Sequence, residues 1–269
     1  MARREAFSFG VFPQRSIDWI KSEMAKKGLP PIIMASQMAP IEFITTGIPE
    51  LDEVCKGFPI GKISEIYGLE GVGKTSVTLQ SIAGMQKVKK KVLFIDVENA
   101  LNVERARHYG IDTTKLAVST EPTIEGISDL IAAYMGVYDA IVVDSVAAMV
   151  PMAEYEGEAG EAHMGLKARQ MGQLMRKVVA KLTEAKCALI FINQQRFDLQ
   201  PFSAKFYTPG GKAIPFAAML RIELKSPQKD KIEGIVKGER KRTGKWVTAT
   251  IIKSKIGTPY VEARFKLLY

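Results

Sequence analysis

Apolar residues along this chain are grouped in two patterns that alternate through most of its length. Short continuous apolar runs predict buried strands, and longer segments with apolar residues three or four apart predict amphipathic helices. The predicted strands are 63–67, 92–97, 116–119, 140–144 and 188–193. The helices predicted between them lie near 75–88, 101–109, 123–135 and 166–186. This alternation predicts an α/β fold with a mostly parallel sheet covered by helices on both faces.

The N-terminal segment has a different pattern from the rest of the chain. Residues 16–27 predict an amphipathic helix that Ser16 caps and that ends at Gly28. A short extended arm with apolar residues follows two prolines. We therefore expect an N-terminal helix and arm over residues 1–41 and a core over residues 42–269.

The last third of the chain changes from alternating strands and helices to strands alone. Strands are predicted at 220–225 and 246–254, with a closing strand at 261–268. They predict antiparallel strands at the C-terminal edge of the sheet. The hairpin between the first two is basic, with eight Lys or Arg residues against three acids from Lys225 to Lys245. Such a run is typical either of a solvated surface hairpin or of a surface that binds a polyanion, and charge alone leaves both interpretations open.

Composition restricts the class of protein. The chain has 269 residues, 38 basic and 29 acidic, and its formal net charge of +9 is compatible with a polyanionic partner. No apolar run reaches the ~20 residues that span a bilayer, and no signal-peptide pattern follows the first residues. Cys55 and Cys187 are far apart in the sequence and form no disulfide pattern. We therefore expect both to be reduced residues that pack in the interior of a cytoplasmic protein. His108 and His163 lack the spacing of a zinc site.

A phosphate-binding loop follows the first strand of the core. Residues 68–75 have the G-x-x-x-x-G-K-T spacing, and a helix is predicted directly after them. Glycines let the backbone approach a phosphate, and N–H groups at the helix N-terminus supply positive potential. Lys74 adds a charge at the outer phosphates, and the Thr75 hydroxyl is suited to a magnesium ion. The predicted nucleotide-binding residues here are Gly68, Leu69, Glu70, Gly71, Val72, Gly73, Lys74, Thr75 and Ser76.

Carboxylates follow two other strands at the same edge of the predicted sheet. Asp144 ends a strand where it can hold magnesium next to Thr75, although such a residue can also cap the following turn. Glu98 follows the strand at 92–97 and is the candidate base that activates a hydrolytic water. Asp96 faces the same side because strand side chains alternate, but its deeper position favours a structural role.

Several motifs together resemble the RecA recombinase family of bacteria and their phages. They lie at 45–47, 58–68, 94–101, 141–148, 156–158, 163–166, 168–169 and 190–194. The stretches at 156–169 and 193–194 are particular to this family rather than to phosphate-loop proteins at large. The resemblance implies a DNA-dependent ATPase that uses ATP and Mg²⁺ and forms helical filaments on single-stranded DNA. It also implies pairing and strand exchange with homologous duplex DNA, in the cytoplasm of a bacterium or of a phage-infected bacterial cell.

The resemblance implies roles for individual residues of the nucleotide site. Lys74 and Thr75 resemble the phosphate and magnesium residues, Asp144 the second magnesium contact, and Glu98 the water activator. Gln194 resembles the side chain that senses the γ-phosphate. Lys253 and Lys255 resemble two lysines that reach the ATP of a neighbouring subunit. The alternative for both is an ordinary polar strand end. Residues at positions that face the base are Asn102, Arg105 and Tyr269.

The resemblance also gives a role to two long segments without predicted structure, at about 154–165 and 195–210, which coincide with the DNA-binding loops of the family. Met164 and Leu199 resemble the apolar wedges that separate stacked bases. The other implied DNA contacts are Gly165, Arg169, Gly172, Arg176, Arg196, Phe197, Gly210 and Gly211. The implied subunit contacts, for which local packing is the alternative, are Ile33, Met34 and Phe216, together with Lys253 and Lys255.

The chain departs from the family pattern at several positions. Arg105 stands in place of a tyrosine that stacks on adenine, and Asn102 replaces an aspartate that faces the base, so the preference for ATP over other nucleotides is left open. The basic hairpin at 226–245 is longer than usual, which suggests a secondary site for duplex DNA. The sequence stops at Tyr269, before the C-terminal domain and acidic tail of the family. We therefore expect a divergent, viral member without regulation by those parts.

Two other functions stay open at this point. One is a hexameric helicase built on the same fold, against which the stretch at 156–169 and the lysines 253 and 255 argue. The other is a non-catalytic accessory protein that binds ATP and DNA and regulates a recombinase. The intact set of loop residues and carboxylates argues against the second alternative.

Overall fold

The computed structural model describes residues 17–28, 34–157, 165–197, 206–227, 231–236 and 239–268. The chain divides into two compact units, residues 1–41 and 42–269. In the first unit, helix α1 (Ile17–Lys26) is one residue shorter at each end than the predicted helix, and a 3-10 helix follows at Ala35–Gln37. Ser16, its predicted cap, lies outside the described residues. The role of the first unit as a polymerisation arm stays a prediction.

The second unit is built from short strands and helices in alternation. Its strands are β1 (Phe43–Ile44), β2 (Phe58–Pro59), β3 (Ile63–Gly68), β4 (Val92–Asp96), β5 (Ala117–Ser119), β6 (Ala140–Asp144), β7 (Ala188–Gln194), β8 (Arg196–Phe197), β9 (Phe206–Tyr207), β10 (Leu220–Lys225), β11 (Lys231–Val236), β12 (Glu239–Ser254) and β13 (Glu262–Leu268). Its helices are α2 (Pro49–Cys55), α3 (Lys74–Lys87), α4 (Val103–His108), α5 (Ile124–Tyr134), α6 (Met152–Glu156), α7 (Leu166–Ala185) and α8 (Ala213–Ala217).

A nine-stranded sheet organises this unit. Its order is β11-β12-β10-β3-β7-β6-β4-β5, with β13 paired to β12. Neighbouring strands from β10 to β5 run parallel, whereas β12 pairs antiparallel with β10, β11 and β13. The predicted fold class is therefore confirmed: an α/β structure with a mostly parallel sheet and antiparallel strands at its C-terminal edge.

The core lies on both faces of the parallel strands. Along β6, Val142 belongs to the cluster packed with α2 and α3, and Ile141 and Val143 belong to the cluster packed with α5 and α7. Burial on two faces explains why these strands are continuous apolar runs. Cys55 and Cys187 are buried free thiols within these clusters, and burial raises their pKa values to about 11 and about 12. None of the helices in the described part of the chain is long and apolar enough to cross a membrane.

The basic hairpin is more regular than its sequence predicts. β12 begins at Glu239 rather than at residue 246, and its first half pairs with β11 in a register that places Lys231 opposite Lys245. The pattern hid this part of the strand because an edge ribbon exposed on both faces needs no apolar alternation. The predicted start of this strand was therefore wrong by seven residues.

The two segments without predicted structure contain short elements at their ends. α6 occupies residues 152–156, and residues 158–164 lie outside the described part of the chain. In the second segment β8 and β9 pair antiparallel, with Phe197 opposite Phe206, and residues 198–205 lie outside. Elements this short carry too few residues for a periodic pattern to show.

Candidate nucleotide site and nucleic-acid surface

The candidate nucleotide site lies where parallel strands end at one edge of the sheet. β3 leads into the phosphate loop, and β4, β6 and β7 end beside it. Open α/β sheets bind ligands at this edge. The loop turns into α3 through two glycines with positive φ, Gly71 at +69° and Gly73 at +103°, a conformation that favours glycine.

A cavity of about 320 Å³ opens above the loop. It brings together most of the residues predicted from the motifs, and it also contains one residue that they do not predict, Lys245. Its lining residues are Glu70, Gly71, Gly73, Lys74, Thr75, Ser76, Glu98, Arg105, Asp144, Gln194 and Lys245.

Lys74 is folded back over the loop. Its Nζ donates hydrogen bonds to the carbonyl oxygens of Gly68 at 3.1 Å and of Leu69 at 2.9 Å. Burial lowers its pKa, and the nearby carboxylates of Asp144, Glu98 and Glu70 oppose that effect. A cation held inside a loop of N–H groups is suited to accept a phosphate group.

Thr75 and Asp144 contact each other directly. The Thr75 hydroxyl donates to Oδ2 of Asp144 at 3.1 Å, and Asp144 is only 5% exposed. Burial, with the charge of Glu98 beside it, raises the pKa of Asp144 to about 7. Magnesium prefers oxygen ligands and is usually held by one or two carboxylates with substrate phosphates, so this hydroxyl and carboxylate fit a magnesium–nucleotide complex.

Glu98 is held at the side of the cavity formed by the ends of β4 and β7. Its Oε1 accepts hydrogen bonds from the Ser145 hydroxyl and, at 3.4 Å, from Nε2 of Gln194. The predicted base and the predicted γ-phosphate sensor are therefore in direct contact. Because Gln194 is the last residue of β7, it links this carboxylate to the start of the second long segment.

Asp96 has the structural position that its depth in the strand predicts. Its two carboxylate oxygens accept from the backbone N–H groups of Ala100 at 3.1 Å and Leu101 at 2.8 Å. It is buried and shapes the turn after β4. It does not line the nucleotide cavity, whereas Glu98 does.

The two described residues that were predicted to face the base lie in different places. The side chain of Asn102 caps α4 by accepting from the N–H of Arg105 at 2.8 Å. The Arg105 guanidinium donates to the Ser76 hydroxyl at 2.5 Å, which places it at the first turn of the phosphate-loop helix. Tyr269 lies outside the described residues, and the carbonyl of Leu268 before it accepts from the Tyr109 hydroxyl at 3.0 Å.

Lys253 and Lys255 lie away from the cavity of their own chain. Nζ of Lys253 donates to the carbonyl oxygens of Pro215 at 2.7 Å and Phe216 at 3.1 Å, at the end of α8. Phe216 is 72% exposed, and Lys255 is exposed as well. In the first unit Met34 is 62% exposed, and Ile33 lies outside the described residues.

A buried polar network joins the phosphate-loop strand to the second long segment. Asn193 Nδ2 donates to Oε1 of Glu65 at 3.0 Å and to the carbonyl oxygen of Pro209 at 3.1 Å. Glu65 is 0% exposed and pairs with Arg221, with 2.6 Å between Oε2 and Nε. One amide group thus holds the far end of the segment against β3. This network was not predicted from the sequence. Its one trace in the sequence is the presence of polar residues within strands that are otherwise apolar.

A stripe of predicted DNA contacts runs along α7. Arg169, Gly172 and Arg176 recur at helical spacing on one side, and both arginines are exposed. Gly165 caps the helix with a positive φ. Met164, the predicted wedge before it, lies outside the described residues.

The described ends of the second segment lie near α7 as well. A Cβ on Gly211 would come 3.1 Å from Cβ of Ala168, and one on Gly210 would come 3.1 Å from Val146. Arg196 is exposed, and the ring of Phe197 packs edge-on against Phe206 with 5.3 Å between centroids. Leu199 lies outside the described residues. The predicted DNA contacts that can be placed therefore fall on α7 and on the two ends of this segment.

This sheet, with its phosphate loop and its carboxylates at the ends of neighbouring strands, defines an α/β protein of the phosphate-loop class. The family model described as RecA N-terminal domain matches residues 14–269, and the chain belongs to the RecA family. It is 41% identical to Protein RecA of Clostridium acetobutylicum over 234 residues, which cover 85% of this chain and 65% of that protein.

Two further relatives give the same picture. Protein RecA of Saccharopolyspora erythraea is 41% identical over 237 residues, covering 86% of this chain and 66% of the relative. Protein RecA of Streptomyces rimosus is 40% identical over 239 residues, covering 86% and 61%. The matched part of the chain thus spans somewhat less than two thirds of the length of these relatives.

Proposed function

We propose that the protein is an ATP- and single-stranded-DNA-dependent recombinase that assembles into filaments and catalyses homologous pairing and strand exchange. Membership of the RecA family supports a role in DNA recombination and repair. The observation that carries the finer proposal is the contact of Gln194 with Glu98. It joins a candidate catalytic carboxylate to the strand that leads into a candidate DNA-binding segment.

Hydrolysis of ATP to ADP and phosphate would use groups already assembled in the cavity. Lys74 and the loop N–H groups would bind the outer phosphates, and Glu98 would orient a water and accept its proton. A magnesium ion held by Thr75 and Asp144 would neutralise phosphate charge. Ser145 and Gln194 both donate to Oε1 of Glu98, so the direction of this carboxylate is set before the nucleotide arrives.

Coupling to DNA would run through the end of β7. A γ-phosphate near Glu98 competes for the amide of Gln194, and movement of that amide displaces the residues that follow it. The first backbone group beyond it, the N–H of Gln195, donates to the Gly68 carbonyl of the phosphate loop at 2.9 Å. The exposed arginines at 169, 176 and 196 would contact the DNA backbone.

Assembly would place the nucleotide between neighbouring subunits. Lys253 and Lys255 lie outside the cavity of their own chain, as residues that serve a neighbouring nucleotide would. Lys253 holds the carbonyl groups at the end of α8, beside the exposed ring of Phe216. One lysine would therefore connect two predicted subunit contacts, the neighbour's ATP and the docking of Phe216.

Paired substitutions at Lys74 and Glu98 test this proposal. Lys74→Ala should abolish turnover, because the phosphates lose their charged partner. Glu98→Ala should hydrolyse ATP poorly yet still form ATP-dependent filaments on single-stranded DNA, since binding does not need the base. Glu104→Ala, at an exposed carboxylate of α4, is the control. The measurements are ATPase rate with and without single-stranded DNA, filament imaging, and strand exchange between circular single strands and linear duplex.

Other outcomes would contradict the proposal. Full ATPase activity of Glu98→Ala would remove that residue from the mechanism. Closed rings that unwind duplexes would point to a helicase, and nucleotide and DNA binding without turnover would point to an accessory protein.

The basic hairpin supports a further part of the proposal, a secondary site for duplex DNA. Arg240 and Lys241 lie on the exposed ribbon of β11 and β12, where they pair with Glu233 and Glu239. Replacing both with Ala should weaken capture of homologous duplex in a pull-down and leave single-strand binding unchanged. Unchanged duplex capture would remove the hairpin from this role.

A further inference from the structure

Lys245 occupies a position where the strand pattern requires an apolar residue. On β12 the buried face continues through Val247, Ala249 and Ile251, and Lys245 is the next residue on that face. It is only 4% exposed. Lysine side chains are almost never buried so completely without a partner for the charge. The function described above assigns no role to this residue.

The ammonium group of Lys245 lies against the phosphate loop. Nζ donates to the carbonyl oxygen of Gly71 at 2.6 Å. A Cβ placed on Gly73 would come 3.4 Å from the same nitrogen and 3.2 Å from Cε. The side chain therefore fills the space beside the last two glycines of the loop and lines the nucleotide cavity with Lys74 and Thr75.

The charges around Lys245 are mostly of its own sign. Burial lowers its pKa, and the nearby cations Arg242, Arg105 and Lys74 lower it further. In the described part of the chain no ion pair includes Lys245. A buried cation among other cations is costly until an anion arrives. A ligand with several negative charges would remove that cost.

Arg105 adds a second cation on the same side of the cavity. Its guanidinium is bonded to Ser76, in the first turn of α3, where the helix N-terminus favours a phosphate. Lys245 and Arg105 thus lie by β12 and α4, whereas Glu98 and Gln194 lie by the ends of β4 and β7. A triphosphate lying along the loop would therefore meet Lys245 and Arg105 on one side of the cavity and Lys74 over the loop itself.

We propose that Lys245 is a phosphate-binding residue of the nucleotide site, and that with Arg105 it makes recognition depend on the polyphosphate more than on the base. The ligand class is therefore nucleoside triphosphates of more than one base. This inference rests on the proposed nucleotide binding but not on filament formation or strand exchange. It names a cation supplied by the same chain, in addition to the lysines proposed to act between subunits.

Binding of ATP, GTP and inorganic tripolyphosphate, measured by calorimetry at several salt concentrations, tests the proposal. The wild-type protein should bind all three, and Lys245→Met should bind each about tenfold more weakly, as expected when a charged hydrogen bond is removed. Its affinity should also fall less steeply with salt, because one cation fewer contacts the phosphates. Lys245→Arg, which keeps the charge, should retain most of the affinity.

Unfolding midpoints without nucleotide separate binding from a purely structural role. Lys245→Met should keep a midpoint close to the wild type, since methionine fills the buried volume. Equal binding of tripolyphosphate by Lys245→Met and wild type, or equal loss in the Met and Arg variants with an unchanged salt dependence, would overturn the proposal. A wild-type protein that binds none of the three ligands would contradict the proposed function itself.

Discussion

Two glycines of the phosphate loop differ in the space around them, although both have positive φ. A Cβ on Gly73 would lie 2.7 Å from Cδ2 of Leu267 and 3.2 Å from Cε of Lys245, whereas one on Gly71 would meet nothing within 4 Å. Both Gly→Ala changes carry the left-handed cost of about 1–2 kcal/mol. Only the change at Gly73 also forces the buried Leu267 to move.

We therefore expect Gly73→Ala to lower the unfolding midpoint and nucleotide affinity clearly more than Gly71→Ala does. Thermal unfolding with and without ATP–Mg²⁺ measures both effects, and Gly71→Ala is the matched control for backbone strain. Equal losses in the two variants would show that crowding by Leu267 and Lys245 has no influence on the loop.

At the scale of elements, the side-chain amide of Asn193 on β7 joins the far end of the second long segment to Glu65 on β3. Asn193→Ala would leave the Pro209 carbonyl without this donor and Glu65 with Arg221 as its remaining described partner. An unsatisfied buried group costs about 1–3 kcal/mol, so the variant should be less stable by that order. Loosening of the segment should also reduce the stimulation of ATPase activity by single-stranded DNA more than the basal rate.

Gln195→Ala is the control for this prediction, because the Gln195 side chain donates to Glu223 on β10 rather than to the far end of the segment. It should keep most of the stimulation by DNA. If single-stranded DNA stimulates the ATPase activity of Asn193→Ala and of the wild type by the same factor, the buried network does not couple DNA binding to ATP hydrolysis.

The arginines of α7 allow a second prediction at this scale. Arg176→Ala should lower single-strand affinity and reduce the slope of log affinity against log salt by about 0.7, the value for one phosphate neutralised on a single strand. Lys177→Ala, at the next exposed position on α7 and paired with Asp129, is the control. A slope equal to that of the wild type in Arg176→Ala would exclude a phosphate contact at that position.

The elements that the sequence predicts best are mostly those whose apolar residues are buried in the core. The parallel strands and the helices α3, α5 and α7 were predicted to within one or two residues, because a continuous or periodic apolar pattern follows directly from burial. The first half of β12 was missed because it is defined by backbone pairing with β11 and β13. Pairing with distant strands produces no apolar pattern in the local sequence.

The same distinction applies to the site. The loop residues, Glu98 and Asp144 were found because they lie in contiguous motifs at the ends of strands, whereas Gln194 was found through the family resemblance; the cavity brings them together. Lys245 was missed because it is distant in sequence and reaches the loop only through the pairing of β12 with β10 beside β3. Its one signal was a lysine in register with the buried face of a strand.

At the scale of the whole molecule, the proposed head-to-tail assembly would make each active site a product of two chains. In the proposed arrangement one subunit supplies the loop, Glu98 and Lys245, and its neighbour supplies Lys253 and Lys255. Such a heterologous contact repeats along a filament with a single orientation. A substitution in the cavity and a substitution of the lysines can therefore be placed on different chains and then combined.

Mixing two inactive variants tests this arrangement directly. Glu98→Gln subunits keep the lysines, and subunits with Lys253→Ala and Lys255→Ala keep the intact cavity, so each alone should have very little ATPase activity. In an equal mixture about one quarter of the contacts would join an intact cavity to intact lysines, and activity should rise to roughly that fraction of the wild type. A mixture no more active than its components, under conditions in which imaging shows mixed filaments, would mean that the lysines serve their own chain.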